Sequence, residues 1–253
     1  MPPPTRNVAL AFFAHPDDAE ILCAGTLLRL RDLGWEIHIA TATPGDAGTM
    51  TLSAEEIAAI RRGEGASSAR LVDGTYHCLE ERDAKVVYNE QSNQKAIDLF
   101  RQVNPTLVFT HPREDYMLDH EQVHLLARSA SFAFGVPNVS EVPRPDGATI
   151  PWLYYTDPVE GRNPYTGAES PFTTMVDISS VMDRKVEMLA CHASQREWLR
   201  AHHGMDEYID AMRRHGSQRG EQACVPYAEA FQQHMGHPFP QNDLLTELLG
   251  GQS

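Results

Sequence analysis

An apolar run from Asn7 to Phe13, stopped at His15-Pro16 and followed by a helically spaced apolar stretch from Ile21 to Leu33, constrains the fold most tightly. The run shows no alternation, so it reads as a strand buried on both faces. Pro16 disfavours the α region at His15 and fixes its own φ, which ends the strand there. Gly34 is a natural helix stop, and Trp35 to Ala40 alternates as a second strand. Strand, helix and strand in so short a span form a βαβ unit, which requires a parallel sheet.

The remaining pattern extends that sheet. Ser53 and Glu56 have the capping-box spacing and open a helix through Ile57 and Ile60 to about Ala69. Thr75 to Leu79 reads as a third strand, Gln91 to Val103 as a helix, and Thr106 to Thr110 as an apolar, β-branched fourth strand near the centre of the sheet. A helix runs on from Asp119, and Val136 to Pro151 reads as a long loop. Trp152 to Thr156 and Thr173 to Asp177 read as strands, and Ser179 to about Arg200 as a long helix. Residues 201–253 read as broken helix punctuated by Pro226, Pro238 and Pro240. The expected architecture is α/β, a mostly parallel sheet over residues 1–200 with a helical C-terminal extension, 201–253, packed on the same domain. A chain of 253 residues can bury the core this needs.

Composition removes several classes of function. A net charge of -14 disfavours nucleic-acid and anionic-membrane partners, since phosphate binding calls for clustered Lys and Arg. No apolar run approaches the roughly 20 residues of a membrane span, and Met1 to Arg6 lacks the pattern of a secretory signal. A cytoplasmic protein is expected. Cys23, Cys78, Cys191 and Cys224 are scattered, without a C-x-x-C pair, as suits reduced thiols. The C-terminal segment could pack against a second copy, making a homo-oligomer.

The chemistry gathers at two strand ends. The first strand delivers His15, Asp17 and Asp18 at a strand-to-helix turn, where either aspartate could cap the helix and leave the other free. The fourth strand runs into His111-Pro112-Arg113-Glu114-Asp115 and then Asp119-His120. In an open α/β sheet both sets of residues reach the same edge, where sites form. A G-x-G-x-x-G dinucleotide turn is absent, because His-Pro-Asp-Asp stands in its place. Catalytic zinc takes three His or carboxylate ligands and leaves a position open for water. His15, Asp18 and His120 would supply that set, and Asp17 beside them is a candidate general base. Another divalent first-row metal suits the same donors. His124, one helical turn after His120, could also reach a metal, but His120 is preferred as the nearer to the strand end.

Ala14-His15-Pro16-Asp17-Asp18-Ala19-Glu20 with Gly25, and Asp115 to His120, resemble the motifs of the LmbE-like or PIG-L family of metal-dependent de-N-acetylases. Thr43-Pro44-Gly45-Asp46-Ala47-Gly48 is similar to that family's Thr-x-Gly-Glu-x-Gly loop, Arg61 to Glu64 to its Arg-x-x-Glu helix, and His192-Ala193-Ser194-Gln195 to a segment of its C-terminal part. The resemblance spans roughly residues 7–200. It implies a Rossmann-like three-layer sandwich that binds Zn2+ and removes an N-acetyl group from an N-acetylglucosamine-type sugar. By position it makes His15, Asp18 and His120 the metal ligands and Asp17 the base, and puts Arg61 and Asp46 on the substrate. Met117 departs from the pattern, because the family often carries a histidine there to hold the oxyanion or protonate the leaving amine. A thioether has no N–H to give. His124 and His192 are the candidates to replace it.

Two further functional readings keep the metal site. One is an amidase acting on a thiol conjugate or another acylated small molecule. The other is a catalytically silent, metal-bearing ligand-binding protein, suggested by Met117.

Overall fold

The computed structural model describes residues 7–158, 161–196, 199 and 208–250. Strand β1 (Val8–Phe13) lies inside a seven-stranded sheet of order β3-β2-β1-β4-β5-β7-β6, next to its central strand β4. The other strands are β2 (Glu36–Thr41), β3 (Thr75–Cys78), β4 (Leu107–Thr110), β5 (Trp152–Thr156), β6 (Thr174–Asp177) and β7 (Ala228–Gln233). The first five strands of the chain are mutually parallel, and β7 runs antiparallel between β5 and β6.

Three layers follow from the pleat of β1. Ala9, Ala11 and Phe13 enter one apolar cluster, while Val8, Leu10 and Phe12 enter the other. All six are fully buried, and each phenylalanine contributes about 1.5–3 kcal/mol of burial. The first face is covered by α1 (Asp18–Leu22), α2 (Ala24–Asp32), α3 (Ala54–Leu71), α6 (Met182–Ala190), α7 (Tyr208–Gln222) and α8 (Leu244–Leu249). The second is covered by α4 (Glu90–Val103) and α5 (Leu118–Ala133). The expected α/β sandwich is the fold observed.

Three elements differ from the sequence reading. The helix expected over Ile21 to Leu33 is broken at Cys23, whose φ of -147° separates α1 from α2. The break holds because Glu229 reaches in from β7 and accepts from Gly25 N–H at 2.9 Å, Thr26 N–H at 2.7 Å and the Thr26 hydroxyl at 2.6 Å. The helix expected from Ser179 onward opens with a 3-10 turn, and α6 ends at Ala190 before helix resumes at Ala193. Its expected end at Arg200, like Met1 to Arg6, lies outside the described residues. The segment after residue 200, read as helical, also contributes β7 to the interior of the sheet. No described helix is long and apolar enough to cross a membrane.

The strand order fixes the place of a site. From β1 the chain moves to β2 on one side, and later returns to add β4 on the other. That reversal opens a crevice at the carboxyl ends of β1 and β4.

Candidate active site

The crevice is a cleft of about 440 Å³ whose lining includes His15, Asp17, Asp18, Arg61, Met117 and His120. His15 leaves β1 into the turn before α1. Asp18 is the first residue of α1, and its Oδ2 accepts from the His15 N–H at 2.7 Å. Asp17 takes the N-cap position of α1 without capping it: its side chain makes no cap bond, and its φ is +114°. A non-glycine residue held there costs on the order of 1–3 kcal/mol, and such strain gathers at functional sites. Its carboxylate is thereby released from the helix end and aimed at the cleft, where the Tyr208 hydroxyl donates to Oδ2.

His15, Asp18 and His120 each offer a ligand atom, all within 4.8 Å of one another. Both imidazoles are oriented by carboxylates on the side away from that point. His120 Nδ1 donates to Asp115 Oδ1 at 2.9 Å. His15 Nε2 faces Asp83 Oδ1 at 3.1 Å and Asp119 Oδ2 at 3.3 Å. The inward nitrogens, His15 Nδ1 and His120 Nε2, then stand 3.3 Å apart. Carboxylate-backed histidines beside a buried aspartate are the donor set of a divalent metal, and the residues present fit one. Two other groups share these residues, His111 with Asp115 and His120, and His15 with Asp83 and Asp119.

The two adjacent aspartates are pushed apart electrically. Burial, and then the charge of Asp18, raise the Asp17 carboxyl to about 6, against the pull of Arg61, His192 and Tyr208. Burial acts on Asp18 in the same sense, but His120 and His111 outweigh it and hold that carboxyl well below the usual range.

His111, which the motif reading did not assign, sits beneath the cluster. Its ring stacks on His120 with centroids 3.9 Å apart, and its Nε2 accepts from Ala14 N–H at 3.0 Å. It therefore ties the ends of β1 and β4 together. Asp83 and Tyr208 were also unassigned. Neither lies in a recognisable motif, and only the fold brings them to the cleft.

The structure places the four expected substrate residues differently. Arg61 lines the cleft, with Nη1 donating to Gly45 O at 3.1 Å and Nη2 to Pro16 O at 3.2 Å. Asp46 lies one layer back: it accepts from Asp83 N–H at 2.7 Å and pairs with Arg82, holding the loop that carries Asp83. His124 is turned away, donating to His111 O at 3.1 Å, with its ring tilted against that of Tyr155 at a centroid distance of 4.5 Å. His192 is buried against Glu20 at 3.4 Å, behind Asp17. Neither histidine is among the residues lining the cleft beside Met117. The polar donors that do line it include Arg61, Tyr116, Gln195 and Tyr208.

Comparison with known proteins shows what the chain is similar to. Residues 10–131 match the family model described as GlcNAc-PI de-N-acetylase, PIG-L. Diacetylchitobiose deacetylase of Thermococcus kodakarensis is 26% identical over 194 residues, covering 72% of this chain and 67% of that protein. The 1D-myo-inositol 2-acetamido-2-deoxy-alpha-D-glucopyranoside deacetylase of Rhodococcus jostii is 25% identical, covering 74% of this chain and 80% of that one. Among solved structures, the 4-carboxy-2-hydroxymuconate hydratase of Pseudomonas putida superposes with a TM-score of 0.75 at 21% identity, covering 94% of this chain and 98% of that one. At that identity the likeness concerns the fold alone.

Proposed function

Because the chain carries a domain of the PIG-L (LmbE-like) family, we propose that it is a zinc-dependent hydrolase removing an N-acetyl group from an N-acetylglucosamine-type amino sugar or a derivative of one. The observation that carries this reading is Asp17: a buried carboxylate, released from capping its own helix, beside a group of metal donors.

His15, Asp18 and His120 would hold the cation. When bound it polarises an amide carbonyl and lowers the pKa of the attacking water. The chain's own residues do the rest. Tyr208 donates to Asp17 Oδ2, which leaves Oδ1 to take a proton from the attacking water. The protonated Asp17 then returns that proton to the departing nitrogen, so acetate and a free amine leave. Arg61 fixes the carbonyl groups of Pro16 and Gly45, and so holds the turn that carries Asp17 beside the loop that faces it. Burial of Asp17 and Asp18 keeps bulk water from competing for these groups.

The two deacetylases named above are called after a diacetylchitobiose and a 2-acetamido-2-deoxy-glucopyranoside, and this supports the choice of substrate. The test is to strip the protein of metal, restore zinc, and measure free-amine release from N-acetylated amino sugars beside an acylated thiol conjugate. Zinc-dependent release from the sugars is expected. Release from the thiol conjugate alone, or equal release without metal, would contradict the proposal.

A further inference from the structure

Helix α7 runs along the cleft, and only its first residue enters the scheme above. Tyr208, Ala211, Met212 and His215 line the cleft from positions i, i+3, i+4 and i+7, which share one face of the helix. Tyr208 meets Asp17 beyond the end of β1, and His215 Nε2 meets Asp157 Oδ2 at 3.2 Å just beyond the end of β5. Seven residues of helix rise about 10.5 Å. In the sheet β5 stands two places from β1, with β4 between them, which is a separation of about 9.6 Å. His215 therefore addresses a different part of any molecule whose amide lies beside Asp17.

The imidazole is fixed from behind. Arg219 grips Asp157 with two nitrogens, Nε donating to Oδ2 at 2.7 Å and Nη2 to Oδ1 at 2.9 Å. Both partners are almost wholly buried, and Arg219 Nη2 also donates to Ser170 O at 3.1 Å. A carboxylate held in this way only accepts, so His215 Nε2 carries the hydrogen, and Nδ1 of the neutral ring is an acceptor. Gly161, at a φ of +64°, gives the ring its room: a Cβ there would stand 3.2 Å from His215 Nε2 and 3.4 Å from Arg219 Nη2.

Beyond His215 lies a second cavity, also of about 440 Å³, and His215 is the residue common to the two linings. Its walls carry both signs of charge, Arg162 and Arg219 against Glu169 and Glu221, and Arg219 Nη1 donates to Glu169 Oε1 at 2.8 Å. Walls of mixed sign suit a neutral polar group better than an anion or a cation.

We infer that His215 is a specificity-determining residue whose Nδ1 accepts a hydrogen bond from a hydroxyl on a second, uncharged unit linked to the amino sugar. Asp157 and Arg219 are positioning residues that act through it. The assignment rests on the amino-sugar reading and narrows it: the substrate is a glycoside that extends past one sugar ring, and the free monosaccharide is a poor one.

The test compares ligands of two lengths. Binding of glucosamine, and of disaccharides carrying a glucose unit on its O1 or its O4, is measured by calorimetry on the zinc-loaded wild type, His215→Ala and His215→Asn. The N-acetyl forms are assayed for kcat/KM beside them. One disaccharide should bind the wild type about 10–100-fold more tightly than glucosamine. His215→Ala should remove that advantage and leave glucosamine nearly unchanged, and His215→Asn, whose amide oxygen can stand in for Nδ1, should recover part of it. If His215→Ala does not fold, the asparagine variant decides alone, with a smaller loss confined to the disaccharide. Equal losses on both lengths of ligand would overturn the assignment. So would a wild type that gains nothing from the second unit, that binds no sugar, or that prefers a glucuronate in place of the glucose. A His215-dependent gain in binding without any hydrolysis would sustain the subsite and remove the deacetylase reading. Hydrolysis of both lengths at rates indifferent to His215 would do the reverse.

Discussion

Asp115 and Asp17 make opposite demands on the same few ångströms. Asp115 holds His120 Nδ1 at 2.9 Å and so fixes which nitrogen faces inward, whereas Asp17 is braced by Tyr208. Asp115→Asn should therefore weaken zinc binding by about 10–100-fold, as loss of a carboxylate behind a ligating histidine does. Competition with a chelator reads this directly, and an unchanged affinity would mean that His120 is not a ligand. Arg61 and Asp18 were legible as site residues because each lies in a compact motif. Tyr208 was not, since it stands far along the chain from Asp17 with no motif around it.

Local signals fixed some elements and missed others for identifiable reasons. The capping box at Ser53 and Glu56 forms as its spacing predicts, with Ser53 N–H donating to Glu56 Oε2 at 2.9 Å, because both partners lie within one turn. Strand β7 escaped notice because buried Glu229 and Gln233 occupy inward positions and erase its alternation. Glu229 is tolerated there because Lys185 Nζ lies 2.6 Å away and the amino end of α2 donates the remaining bonds. Glu229→Ala should thus cost about 3–5 kcal/mol, leaving Lys185 buried without its partner and α2 without its cap. Urea denaturation measures the loss. A cost below about 1 kcal/mol would show that the pair contributes little to the break between α1 and α2.

Across the whole molecule, two apolar layers on one sheet leave the ends of β1 and β4 as the place where polar groups can gather. Some buried histidines serve that framework rather than the chemistry. Burial, only partly opposed by the bond to His111, lowers His124 to about 4. The unfolded chain therefore takes up a proton below about pH 6.5 that the folded chain refuses. Stability should fall as pH drops from that point toward 4, with a slope of about one proton per molecule from this residue. His124→Gln should flatten the slope, and an unchanged slope in that variant would assign the effect elsewhere.

The most direct measurement is of zinc content and amine release side by side in Asp17→Asn. A carboxylate that moves protons without holding the metal predicts full zinc occupancy and a fall in kcat of about 10²–10⁴-fold. Turnover close to that of the wild type, or loss of the metal together with the activity, would contradict the account.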